Sequence, residues 1–308
     1  MAKLRSNHNK SKAGESGGMI ARVGIFSVIL GALFFIFNKS SETQPEIEEE
    51  IVTEDVENLE STGIDSIFYL PTSTSGDLVR HKYFALSYLE KYELPEWVAF
   101  ELTSARLKMP WVDRTNDFRP DPLVETGSAL PNDYWRTEYD RGHLVAAADM
   151  AFSQEAMSET FFMSNMAPQE PAFNKGVWRE LEELTRDWAK RFKHLYVVTG
   201  PLFNDKIKFW IGDSQVAVPP AFYKVILDIR EPEKKAIAFI IPNEKTDERL
   251  EVFATSIDEV EEITGIDFFS ELMPKPLEES LESDHDIQMW KTDEKKFQKR
   301  VQEWNYQD

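Results

Sequence analysis

Asp140-Arg141-Gly142-His143-Leu144, followed downstream by Asn174-Lys175-Gly176-Val177-Trp178-Arg179-Glu180-Leu181-Glu182, is the stretch on which the reading of this chain turns. The first block closes a long polar connection, Arg114 to Thr137, rich in Pro, Asp and Asn, and precedes the small-residue run Ala146-Ala147-Ala148. Long irregular loops inside compact domains are often functional. The second block opens an apolar spacing, Trp178, Leu181, Leu184, Trp188 and Phe192, which predicts a helix over 177–192. Asn174 and Glu182 stand eight residues apart, and a continuous helix over that span would place both on one face.

Working outward, Tyr83 to Leu89 alternates like a strand, and Trp97 to Leu102 reads as its hairpin partner. Ser158 to Ser164 fits either helix or strand. Leu195 to Thr199 reads as a buried strand stopped by Gly200-Pro201, and 221–228 and 235–241 as two more strands. Ile257 to Thr264 reads as a short helix, and 288–304 as another inside a polar tail, residues 276–308. Strands and helices are interspersed with hairpin-like pairs, so the class is α+β.

The N-terminal part reads differently. Residues 1–18 are polar and basic, with Lys3, Arg5, Lys10 and Lys12. Residues 19–38 are apolar apart from Arg22, Ser27 and the final Asn38, and are close to the length of a spanning helix. The flanking charges predict a signal-anchor with its N-terminus in the cytoplasm and the rest of the chain outside. A cleaved signal peptide is the competing reading, and Phe35-Ile36-Phe37-Asn38-Lys39 makes a poor cleavage site. Residues 39–65 then read as a disordered acidic linker, with ten acidic and no basic residues from Ser40 to Asp65. The folded domain is expected over 66–275.

There is no cysteine, so disulfides, thiolate metal sites and cysteine nucleophiles are excluded. The formal net charge is -20, and the linker accounts for only ten of those charges. A polyanion-binding protein is expected to be basic. Any contact with nucleic acid must therefore rest on a local patch and a bound cation.

Of the five histidines, His8 and His285 lie in the tails, and His81 and His194 sit beside lysines without nearby acids in sequence. His143 stands apart. Hydrolysis of a phosphodiester needs a base, a hard cation, something to orient water and cationic donors for the phosphate. His143 suits the base, Asn174 offers a hard carbonyl ligand, Glu182 can hold waters, and Arg141 offers a phosphate-matched fork. Each also has a plain reading. A lone His after Gly is more often a satisfied loop or core residue, and Asn174 could start a turn. Glu182 could be a solvated helix charge, and Arg141 could pair with Asp140.

The ordered blocks nevertheless resemble one family. Asp140-Arg141-Gly142-His143 resembles a DRGH signature, Phe162 to Gln169 the next block, and Asn174 to Glu182 an N-x-x-x-W-x-x-L-E block. Val198 to Leu202, Val218 to Lys224 and Glu261 to Phe269 follow in family order. Together they resemble the DNA/RNA non-specific endonucleases of the ββα-metal superfamily, which includes endonuclease G and secreted bacterial nucleases. The resemblance implies a central mixed or antiparallel sheet flanked by helices, with a ββα element carrying His143 and Asn174. It implies a Mg²⁺-dependent endonuclease (Mn²⁺ as substitute) acting on DNA and RNA and leaving 5′-phosphate ends. His143 would be the general base and Asn174 the direct metal ligand, with Glu182 acting through metal waters. Arg141 and Asn165 would contact or polarise the phosphate and position the site, and Lys175 and Arg179 would help bind substrate. One loop arginine would join them; Arg114 and Arg119 both fit, with Arg114 preferred. Homodimers are common in the family. The alternative is a membrane-tethered, non-catalytic nucleic-acid-binding module on the same fold.

Overall fold

The computed structural model describes residues 69–203 and 207–307. The expected anchor and acidic linker lie outside these residues, and among the described residues no helix is long and apolar enough to cross a membrane. The strands are β1 (Asp77–Arg80), β2 (Phe84–Leu89), β3 (Leu94–Thr103), β4 (Asp140–His143), β5 (Met166–Gln169), β6 (His194–Pro201), β7 (Trp210–Ile211), β8 (Val216–Ala217), β9 (Ala221–Asp228), β10 (Lys235–Pro242) and β11 (Ala254–Thr255). The helices are α1 (Ser104–Leu107), α2 (Gln154–Glu159), α3 (Arg179–Phe192), α4 (Ile257–Thr264), α5 (Lys275–Glu282) and α6 (Glu294–Gln302).

Seven strands form one antiparallel sheet in the order β1-β2-β3-β6-β9-β10-β11. The expected hairpin is β2–β3, paired from Phe84↔Phe100 to Leu89↔Leu94. It turns through Glu93, whose φ is 55°. Side chains alternate across each strand, so every central strand serves two cores. Phe84, Leu86, Val98, Phe100, Val197, Phe222 and Ile226 face one side, where Trp178, Leu181, Leu184 and Trp188 cover them. Ala85, Trp97, Ala99, Val198, Tyr223 and Val225 face the other, under Ile257, Val260 and Phe268. Double burial explains why β6, β9 and β10 read as continuous apolar runs.

Several expectations change. Ser158 to Ser164 is neither one helix nor one strand: α2 ends at Glu159, and a 3-10 turn covers Met163–Asn165. Strand β6 runs through Gly200-Pro201 rather than stopping before it. The span from Asn174 to Glu182 is not one regular helix. A wide π-like turn occupies Phe173–Trp178, and Gly176 has non-helical angles of φ -99° and ψ -108°. Gly176 sits so close to Asn305 that a Cβ would stand 2.4 Å from its Oδ1.

The polar C-terminal segment packs against the domain. Trp290 and Trp304 are buried, and Arg300 is fully enclosed. Its Nε donates to Glu180 at 2.6 Å and its Nη1 to the Thr246 carbonyl at 2.7 Å, with a third bond to the Glu248 carbonyl. The segment thereby braces α3 at its first turn. Removing one partner from such a buried pair costs about 3–5 kcal/mol.

Candidate active site

Strands β4 and β5 pair from Asp140↔Gln169 to His143↔Met166 and lead, through the π-like turn, into α3. Alternation along β4 puts Arg141 and His143 on one side and Asp140 and Gly142 on the other. Gly142 is required by close approach, since a Cβ there would lie 2.0 Å from Gln169 Oε1. The indole N–H of Trp178 donates to the His143 carbonyl at 3.3 Å, tying the strand to the helix.

His143, Asn174 and Glu182 line one cleft of about 530 Å³ together with Arg114 and Arg141. Aromatic rings hold the cationic groups in place. The Arg141 guanidinium stacks 4.0 Å from the Phe118 ring centre, and that of Arg114 lies 4.8 Å from Phe161. The His143 ring stands edge-on to Phe161 at 4.9 Å. Its Nε2 is buried and has no hydrogen-bond partner. Burial first, then the charges of Arg114 and Arg141, hold the imidazole down to about 3, so it is neutral at physiological pH, with an unprotonated ring nitrogen.

The Asn174 amide is oriented by Asp140. Nδ2 donates to Asp140 Oδ2 at 2.9 Å, leaving the carbonyl oxygen as the free end of the amide. Asp140 also meets Lys175 Nζ at 3.6 Å. Glu182 reaches the cleft from α3, and burial pushes its carboxyl up to about 7 against the pull of Arg186 and Lys224. Lys224 is itself buried, and burial pulls its ammonium down. Arg186 is anchored to Asp149 at 2.8 Å. The lining includes the cationic groups of Arg114, Arg141, Lys175, Arg179, Arg186, Lys190 and Lys296 and the carboxylates of Glu182, Glu183 and Asp187. Seven positive against three negative charges make a local cationic patch on an acidic chain. An amide carbonyl and a carboxylate are hard oxygen donors, a set that fits Mg²⁺ or Mn²⁺ rather than a soft metal.

This strand–strand–helix constellation coincides with a family match: the model described as DNA/RNA non-specific endonuclease covers residues 66–275. The chain belongs to that family. Among its relatives, the mitochondrial nuclease EXOG of Danio rerio is 36% identical over 207 residues, covering 62% of this chain and 60% of the relative. Endonuclease G of Caenorhabditis elegans is 36% identical over 232 residues, covering 67% of this chain and 75% of the relative. Matches to the first EXOG and endonuclease G relatives cover about 57–65% of those proteins' lengths. A crystal structure of an EndoG/EndoGI complex aligns with TM-score 0.61 and 33% identity over 66% of this chain and 89% of that one.

Within this endonuclease-family domain the expected residues divide. His143, Asn174, Glu182, Arg141, Arg114, Lys175 and Arg179 all line the cleft. Arg179 is partly engaged there, with Glu183 at 3.2 Å and the Trp304 ring at 4.1 Å. Arg119 does not line it. It is tied to Asp117 at 2.7 Å and the Ser158 carbonyl at 3.0 Å, over the Phe162 ring. Of the two loop arginines, Arg114 is the one that lines the cleft. Asn165 does not line the cleft. It is fully buried, with Oδ1 accepting from Val145 N–H at 2.9 Å and Nδ2 donating to the Val145 and Thr160 carbonyls. With its amide spent on backbone it positions the segment after His143 rather than touching phosphate. His81, read as lacking an acid, bonds Asp121 at 2.9 Å, forty residues away in sequence. The pairing of Arg141 with Asp140 is not formed; Asp140 serves Asn174 instead.

Asp140, Asp149 and Lys224 escaped the sequence reading of the site. Two signals existed. Lys224 is a lone cation inside the apolar strand AFYKVILD. Arg186 lies four residues after Glu182, hence on the same helix face, beside which Asp149 is anchored.

Proposed function

We propose that this chain is a divalent-metal-dependent endonuclease that hydrolyses DNA and RNA without sequence preference and leaves 5′-phosphate ends. The observation that carries this reading is a neutral His143 with an unpartnered, buried Nε2 in the same cationic cleft as the pinned Asn174. His143 Nε2 takes a proton from the attacking water. Arg141 and Arg114 hold the phosphate oxygens at the base of the cleft, and Lys175 and Arg179 hold the flanking backbone. Such contacts carry no sequence information, which fits a non-specific enzyme. Asn174 would hold the ion directly and Glu182 through its waters; when bound, the ion neutralises charge developing on the phosphoryl and leaving oxygens. Asp140 keeps the Asn174 amide in the ligating orientation. Arg186 and Lys224 favour the ionised form of Glu182.

The apolar segment 19–38 serves in this reading as a single membrane anchor, with the endonuclease domain on the non-cytoplasmic side. The bacterial periplasm or exterior is the favoured compartment, and the mitochondrial intermembrane space is the alternative, in keeping with relatives named mitochondrial. A homodimer is the proposed assembly, checked by sedimentation.

The test is cleavage of supercoiled plasmid and of single-stranded RNA by the purified chain at low salt. With Mg²⁺ or Mn²⁺ both polymers are degraded to 5′-phosphate ends, and EDTA abolishes the reaction. Binding of both polymers without degradation by folded protein would favour the non-catalytic binding module.

A further inference from the structure

On the sheet face opposite the cleft, α4 and α5 lie side by side and bring three carboxylates together. Asp258 and Glu261 are three residues apart on α4, hence on one face. Glu282 comes from the last turn of α5. One carboxylate oxygen from each of the three lies within 4.8 Å of the others. Asp258 is exposed, Glu261 half-buried and Glu282 only 3% exposed. Glu282 Oε1 is buried without any hydrogen-bond partner. A desolvated carboxylate oxygen with no donor is costly unless something positive meets it.

The surroundings do not supply that charge. Asp267 and Glu278 also interact with the group. Glu278 is engaged by Lys275 at 3.0 Å, and the Asp267 carboxylate accepts from Thr72 at 3.2 Å. Glu261 Oε1 accepts from the Phe268 N–H at 2.7 Å, which leaves its second oxygen outside that bond. Burial and then the neighbouring carboxylates push Glu282 up to about 8, while burial and the nearby acids raise Glu261 to about 7. The cluster therefore resists ionisation without a cation, and Glu282 Oε1 is left as a buried oxygen with no donor.

We propose that Asp258, Glu261 and Glu282 form a second divalent-cation site, distinct from the cleft, that takes a hard cation such as Ca²⁺ and clamps α4 to α5. The donors are all oxygen, which selects a hard cation. Oxygens on opposite sides of a Ca²⁺ ion stand about 4.6–5.2 Å apart, whereas Mg²⁺ draws them to about 4.0–4.2 Å. Three oxygens within 4.8 Å of one another leave room for either ion, with waters completing its shell. The adjoining Asp267 is joined to Thr72 by backbone bonds of 2.8 and 3.2 Å, so the clamp also steadies the start of the described domain.

The test is Ca²⁺ binding by the full chain carrying Asn174→Ala, which weakens the cleft's own metal site. Calorimetric titration and thermal melting are read together, with Ca²⁺ alone as the probe. One saturable Ca²⁺ per chain is expected, with a rise in melting temperature. Adding Glu282→Gln is expected to abolish both. Adding Asp258→Asn, an exposed change that leaves the core intact, is expected to weaken binding at least about tenfold, or ~1.4 kcal/mol. The acidic residues before the domain can gather Ca²⁺ diffusely, but that uptake is shared by all variants and cancels. No saturable Ca²⁺ in the Asn174→Ala chain, or equal affinity in the Asp258→Asn variant, would overturn the proposal. Neither outcome touches the nuclease reading, because no cleavage is measured.

Discussion

On one face of the seven-stranded sheet, seven cationic side chains and three carboxylates line the cleft around His143; on the other, the carboxylates of Asp258, Glu261, Asp267, Glu278 and Glu282 gather with Lys275 as an ion-pair partner. The chain's net charge of -20 describes neither. Both faces contain a buried polar atom without a partner, His143 Nε2 on one and Glu282 Oε1 on the other. On the cationic side that atom is a base among phosphate-matched donors. On the acidic side it is an acceptor among acceptors. Folding distributes charge so that one chain carries a cationic cleft and a carboxylate cluster about the same sheet.

The largest expected effect breaks the brace beneath the cationic face. Arg300→Leu leaves Glu180 buried without its cation and frees two carbonyls. A loss of about 3–5 kcal/mol in unfolding free energy is expected from denaturant titration. Unchanged stability would show that the C-terminal segment does not hold α3.

Next comes the orientation of Asn174, the proposed metal ligand. Asp140→Ala frees the Asn174 amide. Metal affinity is expected to fall about 10–100-fold, with turnover recovering at high Mg²⁺. A turnover defect that excess Mg²⁺ does not relieve would assign Asp140 another role.

A smaller effect sets the two faces in opposition as pH changes. His143 is held down to about 3 from an ordinary 6.5, so its contribution to stability is complete above 6.5 and is lost as pH falls toward 3. Glu282 is raised from 4.5 to about 8, so its contribution is complete below 4.5 and is lost as pH rises toward 8. Melting temperatures in EDTA are expected to show His143→Ala gaining on wild type only in acid and Glu282→Gln gaining only toward neutral and alkaline pH. Parallel curves for both variants would contradict the opposed electrostatics.

Much of this molecule was legible in the sequence where local pattern and tertiary structure agree. The β2–β3 hairpin, β9, β10 and α4 stand within a few residues of where alternation and helical spacing put them. The motif blocks located His143, Asn174 and Glu182. What escaped depended on distant contacts. Strands β4 and β5 are four residues each, with polar or proline content and no alternation long enough to read. The break at Gly176 follows from its contact with Asn305, over a hundred residues on. Asn165 matched its block, but only its three backbone partners reveal that it faces inward. The polar C-terminal segment hid a buried Arg300 because its partner, Glu180, lies on another element. Local charge in the cleft could not be read from composition, since its cations come from the Arg114 loop, β4, the turn before α3, α3 itself and α6.

The most direct test of the account is single-turnover cleavage of supercoiled plasmid by the wild-type chain and by His143→Ala, at low salt with Mg²⁺. The account expects a rate loss of about 10²–10⁴-fold in a variant that remains folded at neutral pH. Wild-type turnover in folded His143→Ala would contradict it.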